Sequence, residues 1–208
     1  METGALTRHL TRDHFGSFRL TQAIRPALSR GIIPQEGYRI QNYRDAEREV
    51  NLPVLTAAVS REKLFDVFFA LLSPLGPVVD LILESSHENG DNEAVEFERE
   101  AIDLPILSST CYDFEDLLLN DGCTGMAVLN EDRRIEVHFD EHKLLYVYAP
   151  RLSSFELILS EYCVERVNDL SVITEGEHIH CTQPRHADEF ETFRTRLGVE
   201  VFADQWSW

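Results

Sequence analysis

The sequence predicts an α+β fold built on a largely antiparallel sheet, and three observations carry this prediction. Short apolar or alternating segments of strand length recur along the chain, and segments with apolar residues three or four positions apart lie between them. Turn-forming residues separate several neighbouring strands, as hairpins require. The 208 residues are 43% hydrophobic, which is enough to fill a core at this length. We therefore expect six to eight strands and four packed helices.

Residues 1–50 are predicted to form an Arg-rich arm in front of an acidic body, residues 51–208, because the two parts differ in charge. The arm holds eight Arg and six acidic residues, a net charge of +2. The whole chain has a net charge of −18, which leaves −20 for the body. A helix is expected over 18–30, with Pro26 interrupting it and Gly31 ending it. The arm is expected to pack either on the body or on a second copy of the chain.

The first half of the body is predicted to contain three strands and two helices. Val54 opens an apolar strand, and Ser60 is typical of a helix N-cap. Asn89-Gly90 favours a hairpin turn, and Pro105 is expected to close the strand after it. The predicted elements are strands at 54–59, 78–84 and 95–103, a helix at 61–72, and a helix that runs from Ser109 or Asp113 to Leu119.

The second half of the body is predicted to be a meander followed by a helix, a long strand and a last helix. Ile135, Val137 and Phe139 alternate with Glu136 and His138, which is the clearest strand pattern of the chain. The predicted elements are strands at 124–129, 135–139, 144–149 and 170–180 and helices at 155–163 and 186–197.

Two strand-helix-strand stretches of the body, 54–88 and 144–179, resemble each other. Phe65, Glu84 and His87 recur as the same residue types 90 or 91 positions later. One interpretation is an ancient duplication that produced two ferredoxin-like halves. The other is chance similarity between two units of the same kind.

The composition argues against several classes of protein. A body with a charge of −20 repels nucleic acid and anionic membranes, and it favours cations or a basic protein partner. No apolar run reaches 18 residues and residues 1–17 contain no secretory signal, so we expect a cytoplasmic protein outside the membrane. No P-loop, dinucleotide-binding glycine motif, H-E-x-x-H motif or G-x-S-x-G elbow occurs. The four Cys lack a C-x-x-C spacing and are expected to be reduced thiols.

The strand end at His178 and His180 is the first candidate for a chemical site. Residues two apart on a strand point to the same face, with Cα atoms about 7 Å apart. Two such imidazoles can share one metal ion, and Cys181, His138 or His186 could add ligands. This set suits zinc or another borderline divalent metal. The alternative is a pair of strand-end histidines, one hydrogen-bonded and one solvated.

The acidic turn of Asp140, Glu141 and His142 is the second candidate, as a hairpin tip that contacts a protein partner. A catalytic pair of Asp140 and Glu141 fits less well, since adjacent residues of a strand point to opposite faces. The remaining alternative is an ordinary polar turn.

Three functions of different classes follow from these features. The first is a non-catalytic binding or regulatory module whose acidic surface holds a basic protein partner. The second is a metal-binding protein or metal-dependent enzyme that uses His178 and His180. No cofactor is expected apart from the divalent metal that this second function would require. The third is a structural or oligomeric protein whose arm pairs subunits. No motif decides whether the chain is an enzyme.

Overall fold

The computed structural model describes residues 12–27, 32–45, 50–87 and 94–201. These residues form a mixed α+β fold, which confirms the predicted fold class. The strands are β1 (His14–Phe15), β2 (Phe18–Arg19), β3 (Ile24–Pro26), β4 (Gly37–Asp45), β5 (Val50–Ala58), β6 (Val78–Ser85), β7 (Val95–Asp103), β8 (Thr124–Asn130), β9 (Ile135–Phe139), β10 (Leu145–Tyr148), β11 (His178–His180) and β12 (Glu200–Val201). The helices are α1 (Arg61–Leu72), α2 (Leu104–Asp113), α3 (Glu115–Asn120), α4 (Ser153–Glu161) and α5 (Pro184–Leu197), with 3₁₀ turns at Ser73–Leu75 and Ile173–Glu175. None of the helices in this described part is long and apolar enough to cross a membrane.

Eight strands form one sheet in the order β12-β7-β6-β8-β9-β10-β5-β4, with antiparallel neighbours throughout. The predicted meander is β8, β9 and β10, and β9 pairs with both of the others. Two small sheets, β1–β2 and β3–β11, lie outside the large one. The turn between β9 and β10 is therefore held by strands from the middle of the large sheet.

The main core lies between the large sheet and the helices. Phe68 of α1 stacks on Phe139 of β9, with ring centres 5.2 Å apart. Phe190 of α5 meets Phe97 of β7 at 5.8 Å. Burying an aromatic side chain of this size contributes about 1.5–3 kcal/mol to stability. These contacts fix the sheet that carries the β9–β10 turn.

A second group of buried apolar side chains, the small core, joins the N-terminal segment to the loop before β11. Its members are Phe18, Leu20, Ile24, Ala58, Leu144, Leu170, Val172 and Ile173. Ile24 belongs to β3, which pairs with β11, and Leu144 belongs to the turn between β9 and β10. The small core therefore brings β11 and this turn together.

The described part of the predicted arm is packed on the body by backbone pairing. β4 pairs with β5 along its whole length, starting with Gly37 opposite Ala58. β3 pairs with β11, with Ile24 opposite His180. Packing on the body is one of the two placements that the sequence left open for the arm.

The helix expected over 18–30 is wrong in its described part, residues 18–27. β2 and β3 occupy this stretch instead. Phe18 and Ile24 are buried in the small core, so the apolar residues follow an extended chain and not one helix face. Pro26 is the last residue of β3, in a two-stranded sheet where Pro is tolerated at an edge. Gly31, the expected helix end, lies outside the described residues.

The predicted start of the second body helix, at Ser109 or Asp113, is also wrong. α2 begins at Leu104, and Pro105 lies in its first turn. The first N–H groups of a helix have no partner within it, so Pro is favoured there. Pro105 therefore starts a helix and does not merely close β7.

The long strand expected over 170–180 is reduced to β11. Leu170, Val172 and Ile173 point into the small core, and residues 173–175 form a 3₁₀ turn. The apolar side chains of this run are buried, as those of a strand would be, but the backbone that carries them forms a loop and a 3₁₀ turn.

The two similar stretches do not fold into matching units. In the first, α1 connects β5 to β6 within the large sheet, and β10, β9 and β8 lie between them. In the second, α4 follows β10, but β11 joins β3 in a small sheet. The strand order is therefore not that of two ferredoxin-like halves. The Asn89-Gly90 turn predicted between β6 and β7 lies outside the described residues.

Candidate metal centre

Three histidine rings meet where β11 approaches the turn between β9 and β10. His178 and His180 belong to β11, and His142 belongs to the turn. The ring centre of His142 lies 4.8 Å from that of His178 and 4.7 Å from that of His180, and the last two are 5.2 Å apart. One ligand atom from each ring lies within 4.8 Å of the others. We call these three residues the histidine trio.

The spacing of the trio matches a tetrahedral metal site. Imidazole nitrogens bind zinc at about 2.0–2.1 Å, which places the centres of three tetrahedrally arranged rings about 5 Å apart. The observed separations of 4.7–5.2 Å agree with that value. The ring planes are inclined by 43–82°, so the rings are not stacked face to face. One ion can therefore contact all three rings after small side-chain movements.

Each ring of the trio has its Nδ1 atom next to an oxygen acceptor. Nδ1 of His178 is 2.8 Å from the Gly176 carbonyl oxygen, and Nδ1 of His180 is 2.6 Å from the Gly122 carbonyl oxygen. A carbonyl only accepts, so Nδ1 is the donor of both rings, and in the neutral form of each ring Nε2 carries the lone pair. This is the arrangement by which metal-binding histidines are oriented in proteins.

Asp140 orients the His142 ring, as the two carbonyl groups orient His178 and His180, and it also closes the turn. Its Oδ2 atom is 2.9 Å from Nδ1 of His142, and its Oδ1 atom accepts the backbone N–H of Leu144 at 2.8 Å. The Asp140 carbonyl oxygen accepts the N–H of Lys143 at 3.0 Å. Burial alone would lower the pKa of His142, but the hydrogen bond to Asp140 and the charges of Asp140 and Glu141 outweigh it and raise the pKa. The turn thus offers its imidazole in a fixed direction beside a negative charge.

Lys143 supplies a buried positive charge behind the turn. Its Nζ atom donates to the Thr124 carbonyl oxygen at 2.7 Å and lies 5.1 Å from the ring centre of Phe139. Burial lowers the pKa of Lys143 to about 8, against the opposing attraction of Asp121, Asp140 and other nearby groups. The ammonium offsets part of the negative charge that Asp140 brings into the site.

Gly122 lets β11 approach closely enough for the trio to form. Its N–H donates to the Cys181 carbonyl oxygen at 2.9 Å, and the Cys181 N–H donates to the Ala23 carbonyl oxygen at 2.7 Å. A Cβ atom on Gly122 would overlap the Ala23 carbonyl oxygen and would lie 3.0 Å from two backbone atoms of Cys181. Only glycine fits where these two backbone segments cross. The carbonyl oxygen of Gly122 then orients the His180 ring.

The eight candidate residues from the sequence, His186 included, lie in different parts of the structure. The structure places His178 and His180 side by side and brings His142 to them, together with Asp140 and Glu141 of the predicted partner-binding turn. Sequence spacing did not connect His142 to the other two, since 36 positions separate it from His178. The available signal was Asp-x-His in a turn, which is typical of a carboxylate that orients an imidazole.

His138, Cys181 and His186, the other predicted ligands, are not members of the trio. Nε2 of His138, on β9, lies 3.1 Å from Oε2 of Glu84, on β6. Cys181 directly follows His180, so strand alternation turns its side chain away, and its Sγ atom lies 3.9 Å from the Ile179 carbonyl oxygen.

A second group of metal-ligand types consists of His87, Asp121 and Cys123. Nε2 of His87 lies 2.9 Å from Oδ2 of the buried Asp121, which also accepts the Thr124 hydroxyl at 2.5 Å. Burial alone would raise the pKa of Asp121, but these hydrogen bonds outweigh it and hold the pKa well below its usual range. Burial raises the pKa of the Cys123 thiol, which disfavours the thiolate that metals bind. This group is better explained as a structural hydrogen-bond network.

A third group consists of Asp116, His186 and Glu189. Arg185 pairs with Asp116 at 2.6 Å and with Glu189 at 3.4 Å. Both carboxylates therefore already have a cationic partner, which leaves the histidine trio as the best candidate centre in the described ranges.

No protein-family model matches this chain, and no match was found among curated proteins or solved structures. Function therefore has to be inferred from the chemistry of the histidine trio.

Gly122→Ala should destabilise the protein by about 1–3 kcal/mol, because the added methyl group overlaps backbone atoms that cannot move independently. Urea denaturation measures the change. Gly176→Ala is the matched control, since the nearest atom to its added Cβ, the backbone N of Ile32, lies at an ordinary 3.4 Å. Equal stabilities of the two variants would contradict the close crossing at Gly122.

The His138–Glu84 pair should make stability fall as the pH rises above 6.5. Burial alone would lower the pKa of His138, but the hydrogen bond and charge of Glu84 outweigh it and raise the pKa above its ordinary 6.5. The native state then holds the proton more tightly than the unfolded state, so this contribution is complete below pH 6.5 and is lost as the pH passes the raised native pKa.

His138→Gln and Glu84→Gln should each remove this fall in the free energy of unfolding. Urea denaturation between pH 5.5 and 8.5 in the presence of a chelator provides the measurement. Exposed His14, 63% of whose side chain is accessible, offers the control variant His14→Gln. A slope in His138→Gln identical to that of the unchanged protein would refute the assignment.

Proposed function

We propose that this protein binds one divalent transition-metal ion, with zinc as the preferred metal, through His142, His178 and His180. The observation that carries the proposal is that all three rings have Nδ1 held by an oxygen while the rings converge at 4.7–5.2 Å. Held at Nδ1, each neutral imidazole has Nε2 left as the atom that can bind an ion.

The chemistry of the donors favours a borderline metal. Imidazole suits zinc, copper, iron and nickel, whereas calcium and magnesium prefer oxygen ligands. Asp140 and Glu141 add negative charge beside the trio, which favours a cation over neutral ligands. Three protein ligands leave a fourth tetrahedral position for water or substrate, as in catalytic rather than structural zinc sites.

The other functions considered from the sequence concern different surfaces. Binding of a basic partner draws support from the charge of −18, and a role of the arm in assembly draws support from its Arg content. Both are compatible with a metal centre. The trio favours metal binding because it adds a third imidazole, from a distant turn, to the pair on β11.

Untagged protein should bind one equivalent of zinc, and loss of any one imidazole should weaken binding at least tenfold. Isothermal titration calorimetry of His142→Ala, His178→Ala and His180→Ala provides the measurement. Asp140→Asn should weaken binding by about 10–100-fold, because the carboxylate orients a ligand. Cobalt substitution should give the intense visible bands of a tetrahedral ion.

The control variant is His138→Ala, which removes a histidine that pairs with Glu84 outside the trio. It should bind zinc with the affinity of the unchanged protein. Absence of zinc binding, or an equal loss in His138→Ala and His180→Ala, would contradict the proposed site.

A further inference from the structure

We propose that a cavity between β7 and α5 binds a small uncharged aromatic molecule that carries an O–H or N–H group, with Nδ1 of His87 as its hydrogen-bond acceptor. The cavity shares no residue with the histidine trio, so this inference is independent of the metal centre proposed above. Its starting point is a histidine that is held at one ring nitrogen and has no partner at the other.

The cavity lies where α5 packs against β7 and the end of β6. Ser85 ends β6, Phe97 belongs to β7, and Ala187 and Phe190 belong to α5. Residues three apart on a helix lie on the same face, so Ala187 is beside Phe190 on the side of α5 that meets the sheet. Phe190 is buried in the main core, whereas the single methyl group of Ala187 leaves space next to it. The resulting cavity has a volume of about 170 Å³.

The size and the lining of the cavity suit a single aromatic ring. An apolar cavity of about 150 Å³ is enough to hold benzene. Phe97 and Phe190 both line the space, with ring centres 5.8 Å apart, and the ring centre of His87 lies 6.1 Å from that of Phe190. Aromatic rings attract one another in tilted and edge-to-face arrangements at such distances. Three rings around one small space therefore favour an aromatic ligand over an aliphatic one.

His87 offers a hydrogen-bond acceptor to this space. The buried carboxylate of Asp121 is ionised at neutral pH and lies 2.9 Å from Nε2 of His87, so Nε2 is the donor of this bond. In the neutral ring, Nδ1 then carries the lone pair, and it has no hydrogen-bond partner among the residues that the structure describes. His87 lines the cavity but Asp121 does not, so the Nε2 edge of the ring is turned away from the space. An O–H or N–H group of a ligand can therefore bind Nδ1 without displacing a protein partner.

The charges at the cavity disfavour an anionic ligand. Of the described residues that line it, Asp188 and Glu191 are acidic and none is Lys or Arg. Glu191 is paired with Arg194, 2.7 Å away, whereas Asp188 forms no ion pair with a described residue. The remaining negative charge repels carboxylates and phosphates. An uncharged donor such as a phenol fits both this charge and the acceptor at His87.

Phenol, toluene and cyclohexanol test the ligand class, because they have the same number of non-hydrogen atoms. Phenol should bind the unchanged protein with a dissociation constant of about 1 mM, which is within reach of a ligand of this size. Toluene lacks the O–H group and cyclohexanol lacks the aromatic ring, so each should bind about fivefold more weakly. NMR titrations of ¹⁵N-labelled protein in the presence of a chelator measure the affinities. The Nδ1 resonance of His87 should shift with phenol and not with toluene.

Ala187→Leu tests the location of the site, and Ala70→Leu in α1 is the matched control. The larger side chain fills the cavity, so Ala187→Leu should weaken phenol binding by about tenfold or more. Ala70 is also partly buried on a helix but does not line the cavity, so Ala70→Leu should bind phenol as the unchanged protein does. The same NMR spectra report whether each variant is folded, and the comparison of the three ligands needs no variant.

Each outcome decides one part of the proposal. Absence of phenol binding in the unchanged protein, or equal binding in Ala187→Leu and Ala70→Leu, overturns the site. Equal affinities for phenol and toluene overturn the hydrogen bond to His87, and equal affinities for phenol and cyclohexanol overturn the aromatic class. Tighter binding of benzoate than of phenol overturns the assignment of an uncharged ligand. The chelator removes any bound metal, so none of these outcomes depends on whether the protein binds zinc.

Discussion

The small core is the constraint on which the rest of the site depends. Leu144 anchors the turn after β9, Ile24 anchors β3, and Val172 anchors the loop that leads into β11. These side chains are apolar and buried, so the free energy that holds the histidine trio together comes from removing hydrocarbon from water. Local hydrogen bonds are then sufficient to orient the three imidazole rings. A metal centre assembled this way would not depend on the ion for its fold.

Strand β9 and helix α1 could be predicted because the pattern of apolar residues within each segment determines its secondary structure. The alternation of Ile135, Val137 and Phe139 fixes β9 as a strand with one buried face, and the apolar run after Ser60 fixes α1. Strand alternation also places His178 and His180 on one face of β11. Each of these predictions concerns residues that are neighbours in the chain.

The rest could not be predicted because it depends on contacts between distant segments. His142 joins β11 through the small core, whose members span residues 18–173. Burial in the same cluster explains why β2 and β3 form where a helix was predicted, and why a loop forms where a long strand was predicted. An apolar run shows that its side chains will be buried, but it does not show which segment will bury them. Pro105 misled for a different reason, because proline fits both the end of a strand and the first turn of a helix.

The charges of the site explain why a cation suits the trio better than protons do. Protons on two of the rings would place like charges about 5 Å apart, which is unfavourable in a partly buried site. The negative charges of Asp140 and Glu141 nevertheless stabilise positive charge beside His142, and they raise the pKa of that ring against the effect of its burial. Lys143 supplies one positive charge against the two carboxylates, and burial lowers its own pKa to about 8. One divalent ion bound to three neutral imidazoles, as proposed, would supply this charge at a single point and would leave every Nδ1 hydrogen bond in place.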